Sequence, residues 1–191
     1  MSEQTKSQVK LAPALQIAFS GHRTLIDENL CRSVIRKVLD DWKARAPNGI
    51  SGLSSLAAGG DLLFAEVCFE LGIPLQVLLP LPQAQFREDF DPVTWNRVEA
   101  ALRRAAFFNV VNSGTDRPEC YYECGLETVH QCSLLMVLWD GLPARGPGGT
   151  GEMAEHAKNL AIPVIWIHAV TGETTTWNVE DAIRRIPNWP T

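Results

Sequence analysis

The sequence has 191 residues, of which 46% are hydrophobic and 20% are charged. This composition is ordinary for a globular protein, and the length suits one domain with a substantial core. The net charge of −5 argues against binding of a nucleic-acid backbone, which usually requires a basic surface. We therefore do not expect nucleic acid as a partner, although a local basic patch would permit it.

Neither a signal peptide nor an apolar stretch long enough to span a membrane is evident, so we expect no membrane partner and a cytoplasmic location. Five cysteines, an odd number, fit a reducing compartment. Cys31, Cys68 and Cys132 fall in apolar or helical patterns and are expected in the core. Cys120 and Cys124 lie one helical turn apart, but the spacing supplies no further metal ligands. We predict neither a metal ion nor a resident cofactor.

Short apolar runs alternate with helical periodicity along the chain. Residues 1–13 are expected to form a flexible N-terminal segment, and residues 14–191 a single domain. The expected strands are Leu15–Ser20, Ile50–Ser54, Leu75–Pro80, Phe107–Val111, Leu134–Leu138 and, as the last, Ile162–His168. The expected helices begin after an N-cap at Asp27 and then cover about 61–71, 93–105, 119–131, 151–161 and 179–185. This alternation predicts an α/β fold: a Rossmann-like domain with a mainly parallel sheet and helices on both faces.

Three loops that follow strands carry glycines or polar residues, at 21–23, 54–61 and 140–152. Ligands of such sheets bind at the carboxyl ends of the parallel strands. We therefore expect all three loops to lie at one edge and to form the binding site. The polar, less regular segment 82–92 is a candidate cover for that site.

The third loop is the longest and opens directly onto a helix. Glycines let a backbone approach a ligand closely, and a helix start presents N–H groups and the positive end of its dipole. These features predict that Gly148, Gly149, Thr150 and Gly151 hold a phosphate of a nucleotide-like ligand. The alternative is a glycine-rich turn without a ligand.

Acidic residues flank this loop. Asp140 ends the preceding strand at the edge of the expected site. Glu152 and Glu155 lie in the first turns of the helix, where the dipole stabilises negative charge. They are therefore either helix-start acids or ligands of a ribose, and Glu155 is a candidate catalytic acid or base.

The first two loops add further candidates. Gly21, His22 and Arg23 directly follow the first strand, and the planar guanidinium of Arg23 suits a phosphate; the alternative is a surface ion pair. In the second loop the candidates are Ser55, Gly59 and Asp61, which offer a hydroxyl, an N–H group and a carboxylate. Asp61 is expected either to bind a ribose or to cap the next helix.

The stretches Ser20-Gly-His-Arg23, Ser55-Leu-Ala-Ala-Gly-Gly-Asp61 and Leu138-Trp-Asp-Gly141 through Gly148-Gly-Thr-Gly151 together resemble the SLOG superfamily. That group includes the lonely-guy phosphoribohydrolases, the Rossmann domain of DNA-processing protein A and the ligand-sensing domains of TRPM channels. The resemblance covers about residues 16–168. It implies a Rossmann-like fold that binds nucleotides or nucleotide-derived ligands such as AMP or ADP-ribose, often as a homodimer.

The sequence departs from the lonely-guy motif PGGxGTxxE in one position. Pro147-Gly-Gly-Thr-Gly-Glu-Met-Ala-Glu155 keeps the proline, the glycines and the final glutamate, but Glu152 replaces the threonine. Cys124-Gly125 stands where those enzymes carry an Arg-Lys pair. The missing Arg-Lys pair favours a binding or sensing role over catalysis. The alternative is an N-glycosidic phosphoribohydrolase of nucleoside monophosphates, with Glu155 as its catalytic residue.

Overall fold

A computed structural model describes residues 14–111, 116–144 and 146–183, with the backbone alone at 181 and 182. The predicted flexible segment 1–13 and the end of the predicted domain, 184–191, lie outside the described residues. The strands are β1 (Leu15–Gly21), β2 (Ile50–Ser54), β3 (Leu75–Leu79), β4 (Phe107–Val110), β5 (Leu134–Trp139), β6 (Val164–His168) and β7 (Thr174–Trp177). The helices are α1 (Glu28–Arg45), α2 (Gly60–Glu70), α3 (Gln83–Phe86), α4 (Pro92–Arg104), α5 (Arg117–Gln131), α6 (Thr150–Asn159) and α7 (Val179–Ile183), and a 3-10 turn covers Arg87–Asp89.

All seven strands form one sheet in the order β4-β3-β2-β1-β5-β6-β7. Every neighbouring pair is parallel except β6 and β7. The predicted α/β fold with a mainly parallel sheet is therefore confirmed. The chain passes from β1 outward to β4 and then crosses back to place β5 beside β1. This reversal of direction creates a crevice at the carboxyl ends of β1 and β5, where ligands of such sheets bind.

The prediction that Ile162–His168 is the last strand is wrong, because β7 follows it. A tight turn between His168 and Glu173 reverses the chain, with Gly172 at φ +73° and its N–H donating to the His168 carbonyl at 2.9 Å. The strand itself consists of three threonines and Trp177, and its threonines are exposed. Since β7 lacks an apolar run, hydrophobic periodicity gives no signal for it.

Helices cover both faces of the sheet, as predicted. Helices α1, α2 and α4 pack on one face, and α5 and α6 pack on the other. Side chains alternate accordingly along β1, where Ile17 and Phe19 face the first set and Ala18 faces the second. The Asp27 carboxylate accepts a hydrogen bond from the Leu30 N–H at 2.9 Å, which confirms the predicted cap of α1.

The five cysteines, all within the described part of the chain, are free of disulfides. Cys31 and Cys68 are buried as expected, whereas Cys132 is only partly buried. Within the described ranges no helix has both the length and the apolar character needed to cross a bilayer.

Glycine contacts bring the end of β1 against the start of α2. A Cβ built on Gly60 would lie 3.0 Å from the Gly21 Cα, so the two backbones touch. The Gly60 N–H donates to the His22 carbonyl at 2.9 Å. Gly59 has φ +81°, and a Cβ there would lie 2.3 Å from the Arg23 carbonyl oxygen. The first two predicted loops are thus locked together by positions that only glycine can occupy.

We predict that Gly59→Ala lowers the free energy of unfolding by roughly 3 kcal/mol or more, because strain at positive φ adds to a backbone clash. Gly72→Ala is the matched control: Gly72 also has a positive φ, +65°, but open space where a Cβ would stand. It should lose only about 1 kcal/mol. Urea unfolding of the three proteins measures both values. Equal losses in the two variants would show that the contact with the Arg23 carbonyl is unimportant.

Candidate functional site

A cleft of about 560 Å³ lies at the carboxyl ends of β1 and β5. The three predicted loops meet here, together with one face of α5. The expected ligand-binding residues that line it are Gly21, His22, Arg23, Ser55, Asp61, Asp140, Gly148, Gly149, Thr150 and Gly151. Of the remaining three predicted site residues, Gly59 lies beneath the Arg23 carbonyl, and Glu152 and Glu155 line an adjoining, shallower groove.

Two backbone N–H groups of the glycine-rich loop already donate hydrogen bonds to other groups of the protein. The Gly148 N–H donates to the Glu152 carboxylate at 2.8 Å, and the Gly149 N–H donates to the Gly146 carbonyl at 3.2 Å. Gly148 has φ +75°, and a Cβ there would lie 3.1 Å from the Tyr121 backbone. Gly148 and Gly149 therefore determine the shape of the loop. The N–H groups available to a ligand are those of the first turn of α6, where such groups have no intrahelical acceptor.

Thr150 and Gly151 form this first turn and are both buried. A Cβ on Gly151 would lie 3.1 Å from the Trp139 ring, so glycine allows the helix to start against the end of β5. The Trp139 indole N–H donates to the Leu142 carbonyl at 2.7 Å and fixes the segment before the glycines. The helix start is thus held rigidly at the cleft wall, with the Thr150 hydroxyl beside it.

Glu155 does not join the other predicted site residues. Its side chain is 56% exposed and lies 3.9 Å from the Lys158 ammonium. It lines a more open groove that adjoins the cleft and shares Trp139 and Gly151 with it. The expected catalytic glutamate thus lies beside the cleft and does not line it.

The Asp61 carboxylate ties two loops together inside the cleft wall. Its oxygens accept hydrogen bonds from the Gly21 N–H at 2.9 Å and from the Ser55 hydroxyl at 2.6 Å. The residue that caps α2 is Gly59, so Asp61 is not the helix cap that one interpretation expected. Burial raises the pKa of Asp61 to about 6, although these two hydrogen bonds and the charge of Arg23 favour its ionised form.

Arg23 lines the cleft and lies over an aromatic ring. Its guanidinium carbon is 4.8 Å from the centre of the Tyr121 ring, a cation–π contact. Tyr121 donates its hydroxyl hydrogen to the Asp89 carboxylate, and burial raises the pKa of this phenol. Among the described residues no carboxylate lies within 4.0 Å of Arg23 nitrogens, so the surface ion pair that was its alternative role is not formed there.

The segment 82–92 supports the site indirectly. It does not line the cleft, but its Asp89 holds Tyr121 by the hydrogen bond just described and also pairs with Arg117 at 2.6 Å. The tyrosine is thereby fixed beneath Arg23. Residues of this segment are separated from Tyr121 by some 30 positions, so the sequence alone did not reveal the contact.

His22 and Asp140 join the first loop to the third. The His22 Nε2 atom lies 3.0 Å from the Asp140 N–H and 3.1 Å from a carboxylate oxygen of the same residue. That oxygen also accepts the Leu142 N–H at 3.0 Å. A neutral imidazole accepts the backbone hydrogen bond, whereas a ring protonated at Nε2 donates to the carboxylate. In either state the pair closes the floor of the cleft.

Three exposed apolar side chains surround the mouth of the cleft. Ile26, Leu142 and Val170 come from three different loops and are 80%, 57% and 47% exposed. Sequence reasoning missed them, because single apolar residues in loops carry no periodic signal. They make the mouth suited to the apolar part of a ligand.

No protein-family model matches the sequence, and no curated protein matches it. Among solved structures, the chain is similar to DNA processing protein A from Streptococcus pneumoniae, with a TM-score of 0.62 and 14% identity over 88% of this chain and 54% of that chain. It is also similar to DNA processing protein A from Helicobacter pylori, with a TM-score of 0.57 and 12% identity over 89% of this chain and 72% of that chain. The chain thus spans about half the length of the first of these proteins.

At such identities the likeness shows the fold alone. It confirms the Rossmann-like fold that the SLOG resemblance implies. The Helicobacter pylori structure describes how that protein binds single-stranded DNA. The prediction that nucleic acid is an unlikely partner is therefore wrong. It relied on net charge, which averages over the whole surface, whereas a phosphate is bound by local N–H groups and side chains.

We predict that Asp61 makes the protein less stable as the pH rises. Its folded-state pKa of about 6 is above the ordinary value of 3.8, so the folded state binds more protons between these values. The free energy of unfolding should fall from pH 4 to pH 7 by up to about 3 kcal/mol relative to Asp61→Asn. Urea unfolding at four pH values tests this. The exposed Asp40→Asn is the control and should follow the wild-type profile; a constant difference between wild type and Asp61→Asn would contradict the prediction.

Proposed function

We propose that the cleft binds the phosphate of a nucleotide or nucleotide-derived ligand. The observation that carries the proposal is that the α6 N-terminus and Arg23 both line the cleft at the crossover between β1 and β5. A helix start and an arginine without a carboxylate partner in the described residues together suit an anion.

The phosphate is expected at Thr150 and Gly151. The first N–H groups of α6 and the Thr150 hydroxyl supply neutral donors, and the Arg23 guanidinium supplies a charged, planar pair of donors. Asp61 does not compete, because both its oxygens already accept hydrogen bonds from the protein.

The remainder of the cleft suits a nucleoside. A volume of about 560 Å³ falls in the range of small-molecule sites. The aromatic ring of Tyr121 and the apolar side chains at the mouth offer contacts to a base. A bare phosphate would leave these surfaces unused, so we expect the ligand to carry a base as well as a phosphate.

Single-stranded DNA is a second candidate ligand, because the Helicobacter pylori structure with the same fold is described for binding it. The cleft would then hold one nucleotide of the strand, and the contacts to its phosphate would be the same. The hydrolase interpretation is favoured less, because Glu155 lines the adjoining groove and not the cleft itself. Cys124, one of the residues in place of the Arg-Lys pair, is buried and donates its thiol to the Leu78 carbonyl at 3.3 Å.

We predict that Arg23→Ala weakens binding of the preferred ligand about 10- to 100-fold, the effect of losing a hydrogen bond to a charged group. Arg103→Ala, an exposed arginine of α4 away from the cleft, is the matched control and should bind as the wild type does. Calorimetric titration would use AMP, ADP-ribose, NAD, a cyclic dinucleotide and a short oligothymidylate.

Binding of the oligothymidylate alone would select the second candidate. No binding of any of the five compounds would overturn the proposal, as would undiminished affinity in Arg23→Ala. Chromatography of the AMP sample after incubation tests the hydrolase: release of ribose 5-phosphate that is lost in Glu155→Gln would restore that interpretation.

A further inference from the structure

Two of the four histidines in the sequence meet outside the cleft. His130 lies in the last turn of α5, and His156 lies in the last turn of α6. Their Nε2 atoms are 3.1 Å apart, and their ring centres are 5.2 Å apart. The proposed nucleotide site uses neither residue.

The backbone on both sides of this contact is held firmly. Helices α5 and α6 pack so closely that a Cβ on Gly125 would lie 2.6 Å from the Met153 sulfur. Val129 and Ala157, the sequence neighbours of the two histidines, are buried in the same core cluster. The imidazoles therefore project from a rigid seam between two helices, and little rearrangement is needed to keep both rings on one side of a bound ion.

The spacing of the two nitrogens fits joint coordination of one metal ion. Metal–nitrogen bonds of about 2.0–2.1 Å place two adjacent ligand nitrogens roughly 3.0 Å apart at an octahedral angle and roughly 3.4 Å apart at a tetrahedral angle. The observed 3.1 Å lies between these values. His130 is exposed, so an ion can enter from solvent.

We propose that His130 and His156 form a binding site for a divalent transition-metal ion, such as Zn²⁺ or Ni²⁺, through their Nε2 atoms. Imidazole nitrogen is a preferred ligand of these ions. No group of three or more histidine, cysteine or acidic side chains suited to a metal occurs in the described ranges, so water completes the coordination. Bound metal would join α5 to α6, two helices that also line the cleft.

The surrounding charges are compatible with a cation. Glu127 lies one helical turn before His130, and Glu155 directly precedes His156. Lys158 is the nearby positive charge on α6, and its ammonium is directed to the Glu155 carboxylate and to the Trp177 ring.

The test is calorimetric and thermal titration of the full chain, without a purification tag, with ZnCl₂, NiCl₂ and, as a hard-ion control, MgCl₂. We expect one Zn²⁺ or Ni²⁺ per chain, and a rise in Tm of about 5–10 °C at a metal concentration 100-fold above Kd. Mg²⁺ should give no such rise. His130→Gln and His156→Gln should each weaken Ni²⁺ binding at least tenfold.

Two control variants isolate the pair. His168→Gln removes a histidine that instead accepts hydrogen bonds from its own turn, and Cys132→Ser removes a partly buried thiol close in sequence. Both should bind Ni²⁺ as the wild type does. Electron paramagnetic resonance of the wild type with one equivalent of Cu²⁺ should show two nitrogen donors, a result that needs no variant to fold. Absence of metal binding, or unchanged affinity in His130→Gln or His156→Gln, would overturn the proposal.

Discussion

The site depends on the backbone contact between Gly21 and Gly60. The Asp61 carboxylate reinforces this contact by accepting a hydrogen bond from the Gly21 N–H. This contact brings the end of β1 against the start of α2 and turns two loops into one wall. The start of α2 is also occupied by contacts within the protein. The Gly60 N–H donates to the His22 carbonyl, and the Asp61 carboxylate lies beside it, which disfavours an anion there. Under the proposed function, the phosphate is therefore expected at the start of α6 and not at the start of α2.

Local electrostatics make the proposed anion site compatible with an acidic protein. Asp61 and Asp140 line the cleft, but both oxygens of Asp61 and one oxygen of Asp140 accept hydrogen bonds from the protein. Arg23 extends from the facing loop, held by the ring of Tyr121. The start of α6 adds a positive partial charge at close range. These local terms decide what the cleft attracts, and for this reason the net charge of −5 was a poor guide to the partner class.

The strand and helix order could be predicted from the sequence because apolar runs and glycine- or proline-rich turns recur along it, and convergence of three loops follows from a parallel sheet. Features that depend on the direction of a side chain around its helix, or on contacts between residues far apart in the sequence, could not be predicted from it. At 100° per residue Glu155 lies about 140–200° around α6 from Thr150 and Met153, which line the cleft, but only about 40° from Gly151, which lines both the cleft and the adjoining groove. The motif alone does not show that Glu155 lines the groove. His130 and His156 lie on two helices that β5 separates in the sequence, and no local sequence pattern predicts their contact.

The structure shows what Glu152, which replaces the threonine of the lonely-guy motif, contacts in this protein. An acidic residue beside a phosphate is unfavourable if its charge faces the ligand, which is why the substitution weakened the enzyme interpretation. Here the carboxylate accepts the Gly148 N–H and lines the shallow groove instead of the cleft. Glu152 thus closes the glycine loop from within and takes one N–H group away from any ligand. Under the proposed function, the N–H groups that remain for a phosphate are therefore those at Thr150 and Gly151.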